Sequence, residues 1–226
     1  MIREILAKSQ FFSQLDEQSM EEVAAAATVM SVGRQAMVFF EGDQAHAIYI
    51  VGSGKVKVFK QSPDGKEQIL MIAGVGESFA EAALFSGGRY PASAQALEEC
   101  ELVVMNRERF VGLMGKHPEL AVNLIARLSS LLRKMTALVE ELSLTDVSTR
   151  LAHYLVMKIH EEGFAADHRV TLTVKKGVLA SQLGTIPETL SRSLARLTRE
   201  KVIAVDGPHI EILDLTRLKE LAGESD

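Results

Sequence analysis

The sequence predicts an α+β chain in three parts: an N-terminal double-stranded β-helix of the jelly-roll kind, one long helix, and a C-terminal set of helices with a β-hairpin. Three observations carry this. Short strands separated by glycine turns recur from Val29 to about Met105. A leucine-rich pattern then steps by 4, 3, 4, 3 and 4 from Leu124 to Leu142. After Thr145 the order becomes helix, strand, short helix, turn, helix, hairpin. The expected boundaries are 1–115, 116–144 and 145–226.

Each element has a local reason. Phe11 to Ala27 reads as a helix. Val38-Phe39-Phe40 runs into Glu41-Gly42-Asp43, and Ile48 to Val51 into Gly52-Ser53-Gly54. Val56 to Phe59 alternates and meets Ser62-Pro63-Asp64-Gly65. Gln68 to Ala73, Ala92 to Leu97 and Leu102 to Met105 continue the series, a spacing typical of sandwiches, jelly rolls and barrels. Pro118 opens a helix to about Leu144. Its Leu124, Leu128, Leu131, Met135, Leu138 and Leu142 form an a/d seam. The competing reading packs this helix on its own sheet. So narrow a seam on so long a helix favours a partner helix, and a two-fold dimer is the simplest closed arrangement. Thr145 or Asp146 caps the next helix, whose apolar face is Val147, Leu151, Leu155 and Ile159 and which Gly163 ends. Val170-Thr171-Leu172 is a strand, and Lys176 to Leu183 a short helix. Gly184 turns the chain and Pro187 begins the following helix. Val202 to Val205 and Ile210 to Leu213 form a hairpin about Asp206-Gly207-Pro208-His209. That order is the winged helix-turn-helix.

Composition narrows the function. Hydrophobic residues make up 47% and charged residues 24%, as in soluble globular proteins. No run approaches a membrane span, and Met1-Ile2-Arg3-Glu4 does not open a signal peptide, so a cytoplasmic location is expected. Cys100 is the only cysteine, which excludes a disulfide framework and a cysteine-built zinc or iron–sulfur site. His46, His117, His153, His160, His168 and His209 show no metal-binding spacing, and no His-Glu-x-x-His or Gly-x-Ser-x-Gly appears. An enzyme, including a cupin-like metal enzyme, is disfavoured. The net charge of -5 runs against nucleic acid, yet Arg169 to Lys201 holds seven basic and two acidic residues, a local +5.

The helix from Pro187 to Glu200 concentrates the relevant chemistry. Leu190, Leu194 and Leu197 recur at i, i+4 and i+7 and must face a core. Glu188, Ser191 and Arg192 fall on another face near the N-terminal end, the part of such a helix that enters a major groove. Arg192 can donate to guanine O6 and N7, and Glu188 can accept from cytosine N4 and hold the arginine. Ser191 is short enough for close backbone approach. Thr185, Lys176 and Arg196 suit phosphates. The competing reading is a helix-end carboxylate with its i+4 arginine partner.

These pieces resemble the Crp/Fnr family over roughly Leu6 to Leu213. The most specific stretches are Phe40-Glu41-Gly42-Asp43, Gly76-Glu77-Ser78-Phe79-Ala80-Glu81 with Leu84-Phe85, and Pro187-Glu188-Thr189-Leu190-Ser191-Arg192. The resemblance implies a homodimeric transcriptional regulator that binds a palindromic operator. Glu188, Ser191 and Arg192 resemble the version associated with TTGA-type half-sites. RNA polymerase is a partner the resemblance brings without assigning residues to it. The effector pocket it implies comprises Phe79, Ala80, Glu81, Ala83, Leu84, Arg89 and Pro91, with Ala82 beside them. Glu81 matches the family's ribose-binding glutamate, but Pro91-Ala92 stand where an Arg-Ser pair holds a cyclic phosphate, so a cyclic nucleotide is the minority reading. Glu81 is then expected to bond backbone amides at a helix start. The iron–sulfur subtype needs four cysteines. What remains resembles the Dnr/HcpR group, nitric-oxide-responsive regulators for which haem is proposed. Haem-ligand candidates are Met71 and His153, with Met105, His46 and Cys100 behind them.

Overall fold

Two short helices open the chain where the sequence predicts one. In the computed structural model α1 (Ile2–Lys8) buries Ile5 and Leu6, and α2 (Glu17–Ala26) buries Met20 and Val23. Phe11 and Phe12 lie in a turn between them, buried, with ring centroids 4.7 Å apart. The Asp16 carboxylate accepts from the Ser19 amide at 2.8 Å and so fixes where α2 begins. All residues are described except Gln10, Ser13, Gln14, Ser86, 162–168 and 224–226, together with the side chains of Leu84 and Glu161. The Gly163 helix stop and His168 therefore lie outside the described residues.

The chain divides into two compact units, Met1–Lys60 with Ile69–Met135, and Gln61–Gln68 with Thr136–Asp226. The long helix thus contributes to both, where a separate stretch over 116–144 is expected.

Among the described residues the first unit carries eight strands, of which β4 and β5 run a residue or two beyond it: β1 (Thr28–Val32), β2 (Met37–Phe39), β3 (Ala47–Ser53), β4 (Val56–Gln61), β5 (Glu67–Ala73), β6 (Ser78–Phe79), β7 (Ser93–Ala96) and β8 (Cys100–Asn106). They form two four-stranded sheets, ordered β1-β8-β3-β6 and β2-β7-β4-β5. Both contribute to one core, with Ile48, Ile50 and Leu102 from the first and Phe39, Val56, Ala94 and Ala96 from the second. Inward residues alternate along β7, where Ala94 and Ala96 are buried between outward Ser93 and Gln95. Gly54 makes the β3–β4 turn tight: a Cβ there would lie 2.4 Å from the Glu99 carbonyl oxygen. After β8, Asn106 caps α3 (Arg107–Lys116), which the sequence pattern does not announce, and Pro118 begins α4 (Pro118–Leu144) as predicted.

In the second unit α5 (Val147–Glu161) starts at Asp146, whose carboxylate accepts from the Thr149 amide at 2.9 Å. Then follow β9 (Arg169–Thr171), α6 (Lys176–Gln182), α7 (Pro187–Arg199), β10 (Ile203–Asp206), β11 (His209–Ile212) and α8 (Leu215–Ala222). The three strands form an antiparallel sheet ordered β10-β11-β9. Leu151, Leu155, Leu179, Leu190, Leu197, Ile203, Ile210 and Leu218 form its core, and α8, absent from the sequence reading, packs on α5.

Candidate functional site

The first candidate surface is the outer face of α7. Leu190, Leu194 and Leu197 are 0%, 4% and 0% exposed, so the leucine period points inward as predicted. Each buried leucine stabilises the fold by about 1.5–3 kcal/mol. Glu188, Ser191 and Arg192 are exposed on the opposite side. The helix starts sharply because Pro187 occupies its first position. Ser191 Oγ donates to the Pro187 carbonyl at 2.8 Å, which lies it flat against the helix. Arg192 is not held by Glu188: its Nη2 donates to Thr189 Oγ1 at 2.9 Å, and no ion pair joins it to Glu188 among the described residues. An i+4 pair forms about two turns later, with acid and base in the opposite order, where Arg196 Nε lies 3.2 Å from Glu200 Oε1. Arg196 also helps lower the Asp146 carboxyl below its usual value, behind the dominant bond from the Thr149 amide. Arg196 is thus engaged within the protein, whereas Lys176 at the start of α6 is exposed. Thr185 is half-buried, its amide bonded to the Ala180 carbonyl. A shallow groove of about 400 Å³ joins Lys176, Ser191, Thr198 and Arg199 to Val205 of the hairpin. Arg199 is the residue the sequence reading left unassigned. It stands three turns after Glu188 on the same stripe, a helical spacing of i, i+4, i+7 and i+11 shared with Arg192 and Ala195.

The sensor segment, Phe79 to Pro91, is arranged differently. Phe79 is 1% exposed and belongs to the core instead of lining an open pocket. It stacks on Tyr49 at 5.1 Å, and Phe39 stacks on Tyr90 at 3.7 Å. The Tyr90 hydroxyl bridges the Ala47 carbonyl at 3.1 Å and amide at 3.3 Å, and lies 3.4 Å from the Tyr49 hydroxyl. Burial, then Tyr90, pushes the Tyr49 phenol well above its ordinary range. Ala80 takes a left-handed conformation, φ 73°, and opens a 3-10 turn over Glu81–Leu84. Ala83 is buried and Ala82 half-buried, and the Leu84 side chain lies outside the described residues. Glu81 is buried, and its carboxylate is held by side chains where backbone amides are expected. Ser78 Oγ donates to it, and Arg127 Nε of α4 lies 3.3 Å away. Arg127 also donates to the Ser78 carbonyl at 2.7 Å. Arg89 is exposed and donates to the Gly42 carbonyl at 2.7 Å, and Pro91 is exposed.

The ligand candidates are scattered. Met71 is half-buried on β5 against the first core. Met105 and Cys100 are buried strand residues, and the Cys100 thiol, raised by burial, donates to the Lys55 and Glu98 carbonyls. His46 is exposed. His153 lies in the other unit, its Nδ1 3.6 Å from Glu141 Oε1. No group of three or more His, Cys, Asp or Glu residues could hold a metal ion among the described residues.

The predicted seam of α4 is divided, with its two ends engaged within the chain. Leu124 is 7% exposed in the first core, and Leu128 packs against it. Leu142 faces the helix-turn-helix turn: a Cβ on Gly184 would lie 2.2 Å from its Cδ2. Leu131, Met135 and Leu138 are half-buried. The exposed stripe is its neighbour: Val122, Ile125, Leu132 and Val139 are 64%, 65%, 68% and 64% exposed. Ser129 and Thr136 complete its 3-4 spacing. The stripe richest in leucine is thus the one the chain partly buries itself.

A family model of the cyclic nucleotide-binding domain matches residues 29–117, and one of the Crp-like helix-turn-helix domain matches residues 149–221. The chain is 34% identical to a Cyclic AMP receptor protein of Thermus thermophilus over 185 residues, which is 82% of this chain and 83% of that protein. The chain belongs to the Crp/Fnr family of transcriptional regulators. The Fnr side is represented by the Fumarate and nitrate reduction regulatory protein of Vibrio cholerae, 30% identical over 83% of this chain and 76% of that protein. The structure of FixK2 from Bradyrhizobium japonicum shares the fold, with a TM-score of 0.74 at 23% identity, over 88% of this chain and 98% of that one. As a Crp/Fnr regulator the chain pairs an effector-binding β-roll with a DNA-binding winged helix-turn-helix, and it belongs to a family of regulators, not of enzymes. Among the described residues no helix is long and apolar enough to cross a membrane.

Proposed function

We propose that two copies of this chain pair through α4 and read a palindromic operator with their α7 helices, under control of an effector in the β-roll. The observation that carries the DNA reading is the outward stripe of Glu188, Ser191 and Arg192 opposite three buried leucines. Arg192 reads guanine, Glu188 reads cytosine, and Lys176 and Arg199 take phosphates on the rim. Thr189 parks the Arg192 guanidinium until a base replaces it. TTGA-type half-sites follow from the likeness to the Fnr version. Selection of duplexes from a random library by the full chain tests this. Enrichment of an inverted repeat supports it, and an unenriched library sinks it.

For the effector, the finer reading is a nitric-oxide or redox signal carried by haem, as in the Dnr/HcpR group. In its favour, the segment lacks the guanidinium and hydroxyl that a cyclic phosphate needs at Pro91-Ala92, and Arg89 is bonded to Gly42. Met71 is the donor that would hold such a group, since it is only half-buried on its strand; Met105 and Cys100 are buried, His46 is an exposed loop residue, and His153 lies in the second unit. Bound haem would supply an iron to which nitric oxide binds. The Phe39, Tyr49, Phe79 and Tyr90 rings pack on one another in the first core, and the chain's own part would be to link Glu81 to α4 through Arg127. A cyclic nucleotide is the second reading, favoured by Glu81 and by the 34% identical Cyclic AMP receptor protein. A ribose would have to displace Ser78 or Arg127 from that carboxylate. Haem titration followed at the Soret band, beside calorimetry with cyclic AMP, separates the two. Saturable heat with cyclic AMP and no Soret shift would overturn the haem reading.

A further inference from the structure

Arg150 is 7% exposed, and no acidic side chain is paired with it among the described residues. Burying an unpaired cation is costly unless other groups compensate. Here the compensation comes from three carbonyls. Nε donates to the Leu183 oxygen at 2.8 Å, and Nη1 donates to the Thr145 oxygen and to the Glu141 oxygen at 3.4 Å. Glu141 is in the last turn of α4, Thr145 follows its end, and Leu183 follows the end of α6 and begins the turn into α7. The guanidinium therefore sits where the negative ends of two helices converge. Only a planar fork can bridge both; a lysine can reach one.

Two further contacts tighten the same joint. A Cβ on Gly184 would lie 2.2 Å from Leu142, so the last turn of α4 rests directly on the turn before α7. The buried hydroxyls of Ser148 on α5 and Ser193 on α7 are 3.3 Å apart. We propose that Arg150 is a positioning residue: it locks the C-terminal end of α4 to the helix-turn-helix, so that a pair of chains engages only operators whose two half-sites stand at one separation. The inference rests on the DNA reading and the pairing proposed above. It names the side chain that enforces the half-site separation which a two-fold pair requires.

The test uses the full chain and its selected duplex, with one or two base pairs then inserted between unchanged half-sites. Each added pair rotates one half-site by about 35° and shifts it by about 3.4 Å. The wild type is expected to lose about tenfold or more in affinity, the scale of a lost base contact. Arg150→Lys keeps the charge without the fork and should lose less than about threefold relative to its own best duplex. Its base preference at the position read by Arg192 should be unchanged, which general damage to the domain would not leave so. Where circular dichroism shows Arg150→Lys unfolded, insertion of one glycine between Leu144 and Thr145 serves instead, because it draws the Thr145 and Glu141 carbonyls apart without touching the core. A folded variant of either kind that keeps the wild-type discrimination overturns the inference. A wild type that enriches half-sites but accepts every spacing overturns it alone, whereas one that enriches no duplex overturns the DNA reading beneath it.

Discussion

The outer face of α7 and the sensor segment treat their polar groups in opposite ways. On α7 the carboxylate of Glu188 and the guanidinium of Arg192 project into solvent, and among the described residues Arg192 has a single hydroxyl to hold it. In the sensor segment Glu81 is buried between Ser78 and Arg127, the Tyr90 hydroxyl is spent on Ala47, and even the exposed Arg89 guanidinium is bonded to the Gly42 carbonyl. A surface whose partner is another molecule leaves its charged groups exposed. A segment whose partner is the rest of its own domain spends them internally, so an effector must displace something to enter.

Substitutions on the two sides should therefore differ in kind. The largest effect is expected from Arg127→Ala, which strands the Glu81 carboxylate in the core of the first unit. Urea unfolding should show a loss of about 3–5 kcal/mol. A loss below about 1 kcal/mol would mean that Ser78 satisfies Glu81 alone. Arg192→Ala should leave stability within about 0.5 kcal/mol of the wild type. In fluorescence anisotropy it should cost about 2 kcal/mol of operator binding and relax one base position. Unaltered sequence preference would remove its role and blur the contrast between the regions. Tyr90→Phe, which keeps the ring stack but removes the bridge to Ala47, should cost about 1 kcal/mol of thermal stability.

The smallest effect concerns pH. The Asp146 carboxyl is held below its usual value, first by the Thr149 amide. Because the folded value lies below the unfolded one, its contribution is complete above the ordinary aspartate range and fades as pH falls through the lowered value. Asp146→Ala should cost about 1 kcal/mol at neutral pH, and the difference from wild type should shrink under acid. A difference that stays constant down to low pH would assign the loss to packing instead.

How much was legible follows the same division. The leucine period of α7, Pro187 at its start and the turn at Gly184 are local signals, and the structure places each where the residues indicate. The order of strands was legible from turn residues. The aromatic cluster was not, because Phe39, Tyr49, Phe79 and Tyr90 come from distant points along the chain and no local period links them. α1, α3 and α8 escaped because each is short, with few buried residues to set a period. The α4 seam was legible only in part for a physical reason: this helix has two apolar stripes, and the sequence does not say how much of each the chain covers itself. Arg150 escaped too, since a basic residue within an apolar helix face reads as surface until its carbonyl partners from two other helices are brought to it.

The uncovered stripe on α4 has a consequence for how much regulator a cell must make. If two chains pair through α4 as proposed, Val122, Ile125, Leu132 and Val139, exposed in the single chain, leave water only on pairing, and folding and assembly then draw on one mass-action equilibrium. At concentrations where the lone chain prevails, halving its supply removes more than half of the assembled species, and occupancy of a promoter falls more steeply than expression does. Dilution alone could then silence the regulator, with its signal still in place.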